Sequence, residues 1–180
     1  MTTGSPTALI STDLALGWQS GMDLSCSIEP ISASGDIART WNGRAVNLAM
    51  PEFRLFSVRI SSGQGEVRSP ALSQLWPGTV FALVPTNELG DALAVGTQSR
   101  TLVRDPHPGS VRCVDAAFEP VEFSVVGRVV TLSAPATTPV RIYYRPVLTL
   151  MVIAPWQESF REAAAEVSWS LECEELGGEA

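Results

Sequence analysis

Lysine is missing from this chain, and all 12 of its basic residues are arginine. Schiff-base and amine-nucleophile chemistry is thereby excluded. The cation that remains is the one suited to bidentate carboxylate pairing at interfaces, although a GC-rich coding genome alone would produce the same bias. Histidine is almost absent too. His107 lies in Asp105-Pro-His-Pro-Gly109, where two prolines and a glycine make a rigid surface turn. A catalytic base needs an orienting partner and a nucleophile within hydrogen-bond reach. Asp105 could orient the imidazole, but no Ser or Cys sits in a nucleophile motif such as G-x-S-x-G.

The three cysteines, Cys26, Cys113 and Cys173, form no C-x-x-C pair. Each falls in the apolar phase of an alternating segment, as a small core hydrophobe does. With one histidine they supply no tetrahedral ligand set at a familiar spacing, so no metal and no cofactor is expected. Glu172, Glu174 and Glu175 read as a solvated face rather than a calcium site. Gly63-Gln-Gly65 lacks the third glycine and the lysine of a phosphate loop, and reads as a hairpin turn.

Charge of either sign is sparse, at 17% of residues, which suggests a largely neutral surface of the kind subunits share. The net charge is −7 and the arginines are dispersed from Arg39 to Arg161. Stable binding to a phosphate backbone needs clustered cations, so no specific nucleic acid is expected. No run of about 18 apolar residues exists to span a bilayer. No basic residue precedes Arg39, so a secretory n-region is lacking and synthesis in a cytoplasm is expected.

What is present is alternation. At 180 residues the chain fits one domain and can bury about 70% of its unfolded surface. Residues 21–31 and 164–174 alternate strictly between apolar and polar, the mark of a half-buried strand. Shorter strand candidates occupy 53–61, 79–84, 99–104 and 111–114. Hairpins are expected about Asn42-Gly43, joining 39–41 to 44–48, and about Gly127-Arg128, joining 123–126 to 129–132. Residues 142–153 read as a central strand that begins, bulges or runs along an edge at Pro146. Helix is scarce: one or two turns over 69–76, after a Ser N-cap and a Pro at the first position, and a short helix within 157–166. About nine strands imply an all-β, antiparallel sandwich or barrel-like domain.

The expected organisation is an N-terminal arm over 1–20, one β-domain over 21–176 with a possible elaborated insertion at 90–141, and a fraying tail over 177–180. The arm carries Leu9, Ile10, Leu14, Leu16 and Trp18 without a clear period, and docking on a neighbouring subunit is expected of it. Trp18 and Trp156 lie in or near loops, where a large aromatic is often an interface anchor. These six residues are the expected interface set; no catalytic residue is expected.

An ordered series of segments resembles small virion structural proteins encoded among the tail genes of long-tailed and Mu-like bacteriophages. It runs through Ile37-Ala-Arg-Thr-Trp-Asn-Gly43, Val46-Asn-Leu48, Pro51-Glu-Phe-Arg54, Ser69-Pro-Ala-Leu72, Leu75-Trp-Pro-Gly78 and Asn87-Glu-Leu89. It resumes at Tyr144-Arg-Pro-Val-Leu148 and Val167-Ser-Trp-Ser-Leu-Glu-Cys-Glu174. The resemblance covers about residues 30–89 and 142–175, and implies a tail-tip or baseplate subunit with no cofactor and no catalytic residues. Its partners would be other tail proteins and copies of itself in a symmetric ring, and its location the virion. Two other functions are compatible with the residues: a capsid decoration or head–tail neck protein, and a carbohydrate-binding module for host recognition.

Overall fold

The computed structural model describes residues 9–17, 20–21, 23–62 and 68–177. They form an all-β structure with sandwich-like packing and no closed barrel. In chain order the strands are β1 (Leu24–Pro30), β2 (Ile37–Arg39), β3 (Ala45–Asn47), β4 (Phe56–Ser62), β5 (Val80–Leu83), β6 (Leu89–Leu93) and β7 (Ser99–Thr101). They continue with β8 (Arg112–Val114), β9 (Phe123–Val126), β10 (Val129–Leu132), β11 (Val140–Tyr144), β12 (Leu148–Val152), β13 (Gln157–Arg161) and β14 (Glu166–Glu175). The helical residues are three single 3-10 turns, at Ser32–Ser34, Pro51–Phe53 and Glu162–Ala164.

Where the sequence suggests one domain over 21–176, the chain divides into two compact units. One comprises the described residues up to Ala82 together with those from Thr149, and the other is Leu83–Leu148. The expected insertion at 90–141 falls inside the second unit. That unit leaves the first at the end of β5 and returns at the start of β12, and these two strands are neighbours in one sheet.

The first unit is built on a sheet of order β1-β4-β14-β12-β5, with β13 paired to β14. Its register explains the alternation. Cys26, Ile60 and Leu171 align across three strands, as do Ile28, Val58 and Cys173, and Val152 extends the second row. Directly opposed residues share a face, so these rows gather the apolar side chains on one side. Val58, Ile60, Leu171 and Cys173 lose all their exposure there. At the end of that face Glu175 takes the apolar phase, and its Oε2 accepts the Phe56 N–H at 3.1 Å.

The N-terminal segment belongs to this unit. Ser11 Oγ donates to the Ala82 carbonyl at 3.0 Å, and the Ala71 N–H donates to the Leu14 carbonyl at 3.1 Å. Leu9 and Leu14 are buried. The expected arm over 1–20 is therefore corrected for its described part: it packs on its own chain, because Leu9 and Leu14 find a core there.

The second unit is a small sandwich of two three-stranded sheets, β7-β10-β9 and β6-β11-β8. Both sheets feed one core: Leu93, Cys113, Val140, Ile142 and Tyr144 from one, Val130 and Leu132 from the other, with Leu102 and Ala136 from flanking turns. The buried Tyr144 hydroxyl accepts the Arg104 N–H at 3.2 Å. Gly127 turns the β9–β10 hairpin at φ +57°, a left-handed conformation that glycine adopts without a Cβ penalty.

Three expectations about elements give way. Residues 142–153 are two strands in different sheets, β11 and β12, separated at Pro146. Pro146 has no N–H to offer a ladder and makes an isolated bridge to Pro106. Beside it Arg145 Nε donates to the Pro85 carbonyl at 2.9 Å and Nη2 to the Val84 carbonyl at 3.3 Å. Burial lowers the pKa of this guanidinium from its ordinary value. The helix expected within 157–166 is instead β13 and a 3-10 turn, because pairing with the first half of β14 outweighs weak helix propensity. Residues 69–76 form turns rather than a helix: too few residues precede Pro77 to repay helix nucleation.

The register locates the most sensitive point of the first unit. Leu171→Ala, at the centre of β14, should lower unfolding free energy by about 2–5 kcal/mol, measured by urea denaturation. A loss below about 1 kcal/mol would show that the row of Cys26, Ile60 and Leu171 is not a packed core.

Candidate interaction surface

Between β1 and β4 the chain makes an excursion of its own. Pro30 pairs with Phe56, the Ile31 N–H donates to the Leu55 carbonyl at 3.0 Å, and everything between is carried beyond that closure. The excursion holds β2 and β3, which among the described residues pair only with each other. Ile37 opposes Asn47, Ala38 opposes Val46, and Arg39 opposes Ala45.

Local polar contacts hold it. Asn47 Oδ1 accepts the N–H groups of Asp36 at 3.1 Å and Ala49 at 3.0 Å, while the Leu48 N–H reaches the Asp36 carbonyl at 2.7 Å. At the tip the Thr40 N–H donates to the Arg44 carbonyl at 2.9 Å and the Gly43 N–H to the Thr40 carbonyl at 2.8 Å. The connection is thus longer than the two-residue Asn-Gly turn expected, and Trp41 lies in it rather than in a strand. Gly43 takes φ +80°. Arg39 Nη1 donates to the Gly43 carbonyl at 3.0 Å.

No described side chain between 31 and 55 is fully buried. Ile37, Trp41, Leu48, Met50 and Phe53 are all exposed, Trp41 at 99%. An isolated two-stranded hairpin is at best marginally stable in water, and clustered exposed apolar side chains mark a surface that meets a partner.

The opposite side of the six-stranded sheet presents small and charged residues. Ser25, Ser61, Ser170 and Gln157 form one row across β1, β4, β14 and β13. Ser27, Arg59 and Glu172 form the next, and Glu29, Ser57 and Glu174 the one after. Arg59 and Glu172 are ion-paired at 2.6 Å. Glu29 and Glu174 have no cationic partner among the described residues. A depression of about 100 Å³ is lined by Ser27, Glu29, Ser57, Arg59 and Glu172.

The expected interface residues distribute otherwise. Leu9 and Leu14 are core residues, a correction that follows from their burial. Ile10 is exposed, Leu16 half-buried, and Trp18 lies outside the described residues. Trp156 is half-buried and lines a depression of about 240 Å³ with Pro155, Gln157, Ser170 and Glu172. The hairpin that replaces them in importance was readable as a hairpin but not as an exposed apolar surface. Its signal was present: Ile37, Trp41, Leu48 and Met50 show no alternation that would bury them together.

His107 is a half-buried wall of an apolar groove of about 460 Å³ with Pro106, Val111, Phe123 and Val125. Asp105 does not orient the imidazole through a shown contact; its carboxylate accepts from Arg128 Nε at 3.0 Å. Gly63-Gln-Gly65 lies outside the described residues. Among the described residues no three His, Cys, Asp or Glu gather as a metal ligand set, and no helix is long and apolar enough to cross a membrane. All three cysteines are free, with Cys113 and Cys173 buried and Cys26 half-buried. Burial pushes the Cys113 thiol up to about 11. Burial pushes Cys173 up to about 12, helped by nearby Cys26 and Glu172. No protein-family model matches the chain, and no curated protein matches it in sequence.

Two outcomes follow from these environments. A raised thiol pKa means the folded state keeps a proton that the unfolded state has lost above its ordinary value near 9. Stability therefore falls as pH rises from about 9 through about 12. Thermal melts should show this decline, shallower in Cys173→Val; an identical slope would remove the thiol as a cause. Trp41→Ala should shift the urea-unfolding free energy by less than about 0.5 kcal/mol, since the side chain touches nothing that folding buries. A loss above about 1 kcal/mol would show that Trp41 packs on its own chain.

Proposed function

We propose that the chain is a non-enzymatic structural subunit of a long-tailed bacteriophage virion, acting in the tail-tip or baseplate region by packing against protein neighbours. The observation that carries the assembly part is the hairpin between β1 and β4: an apolar, tryptophan-tipped excursion without a buried side chain. A segment of that kind gains its stability from what covers it. The virion part is supported by the ordered motif series, which includes this hairpin as Ile37-Ala-Arg-Thr-Trp-Asn-Gly43 and Val46-Asn-Leu48. Partners in this reading are other tail proteins and further copies of the chain. The net charge of −7 suits a part that DNA passes without adhering.

Mass spectrometry of purified particles, with tails separated from heads, tests the reading. Peptides of this chain should be enriched in the tail fraction at constant ratio to other tail subunits. Absence from particles overturns the proposal, and recovery with heads alone would favour the decoration or neck reading. Normal particles that fail to adsorb when Trp156→Ala is introduced would favour the sugar-binding reading.

A further inference from the structure

We infer that the hairpin of one copy docks by its tip on the solvent face of the six-stranded sheet of a second copy, with Arg39 and Arg44 meeting Glu29 and Glu174. This rests on the assembly reading for the same hairpin and names its partner.

Charge selects the partner. Residues 37–50 contain two arginines and no acid, so this stretch is +2 in a chain of −7; the whole excursion over 31–55, with Asp36, Glu52 and Arg54, is still +1. Neither guanidinium faces a carboxylate among the described residues. Arg59, Arg100, Arg112, Arg128 and Arg161, by contrast, each hold an acid of the same chain. Two acidic bodies repel, and charge favours association of copies where the basic hairpin meets an acidic surface.

The sheet face supplies that surface. Glu29 and Glu174 flank Ser57 in one row, two strand spacings or about 10 Å apart. In the neighbouring row Arg59 already neutralises Glu172, so the unbalanced charge belongs to Glu29 and Glu174. The floor between them is serine, small enough for the Trp41 ring to lie against the sheet while the arginines on either side of it in the chain reach the carboxylates. The apolar groove beside His107 is the competing receptor, but no acid lines it.

Such a contact joins two different surfaces of identical chains. Exchanged reciprocally about a two-fold axis it gives a closed dimer, and passed on in one direction it closes into a ring or runs on as a filament.

Sedimentation velocity on the full chain over a concentration series tests this. Self-association should appear at about 0.1 M salt and weaken markedly at about 1 M, where screening is short-ranged. Arg39→Glu with Arg44→Glu should weaken it at least ~100-fold, as should Glu29→Arg with Glu174→Arg. All four changes in one chain should restore it to within about tenfold of the parent. Circular dichroism melts that match the parent keep the comparison clean. A parent chain that stays monomeric throughout, or a fourfold variant that does not recover, overturns the inference. If self-docking fails while the chain is still found in tails, the assembly reading stands with a different partner. If the chain self-associates as described but is missing from particles, the virion reading fails instead.

Discussion

The pairing of β4 with β14, Val58 opposite Cys173 and Ile60 opposite Leu171, is the constraint from which the first unit follows. Because side chains alternate with a period of two, this one alignment assigns every residue of both strands to a face. It places four wholly buried side chains on one side. The same alignment, carried across β1, lays Ser27, Ser57, Arg59, Glu29, Glu172 and Glu174 on the other. The core and the acidic, serine-floored face are therefore not separate designs. A slip of one residue would exchange them.

That pairing also decides where the chain is free to elaborate. The β1–β4 ladder ends at Pro30 and Phe56, and the excursion beyond it contributes nothing to the core. Its large side chains Ile37, Trp41, Leu48, Met50 and Phe53 are consequently unconstrained by burial, and they are apolar nonetheless. The second departure, between β5 and β12, is solved in the opposite way: Leu83–Leu148 closes its own core between two small sheets. One departure is self-sufficient and the other is not, and the one that is not carries Arg39 and Arg44, which hold no acid among the described residues.

The parts of the fold legible in sequence were those governed by local pattern. β1 and β14 could be read from alternation, and the β9–β10 hairpin from Gly127 between two β-branched runs. The phase of all three cysteines followed from their neighbours. What could not be read depended on distant partners. β13 has the composition of a helix, and only its alignment with Val167 and Trp169 makes it a strand. β6, Leu-Gly-Asp-Ala-Leu, has low strand propensity and exists because β11 pairs with it. Leu9 and Leu14 have no period, so nothing local indicated that residues 71 and 82 would receive their segment.

By itself, then, the sequence determined the all-β class, the faces of its best strands and the scarcity of histidine and lysine, since period and composition are properties of neighbouring residues. The tertiary structure decided how apolar residues divide between core and surface. It put Leu9 and Leu14 of the supposed arm into the core and left the hairpin of Ile37, Trp41 and Met50 uncovered. The physical reason is that burial is settled by which surfaces meet after long-range pairing, and a short apolar segment reads the same whether its partner is in its own chain or in another.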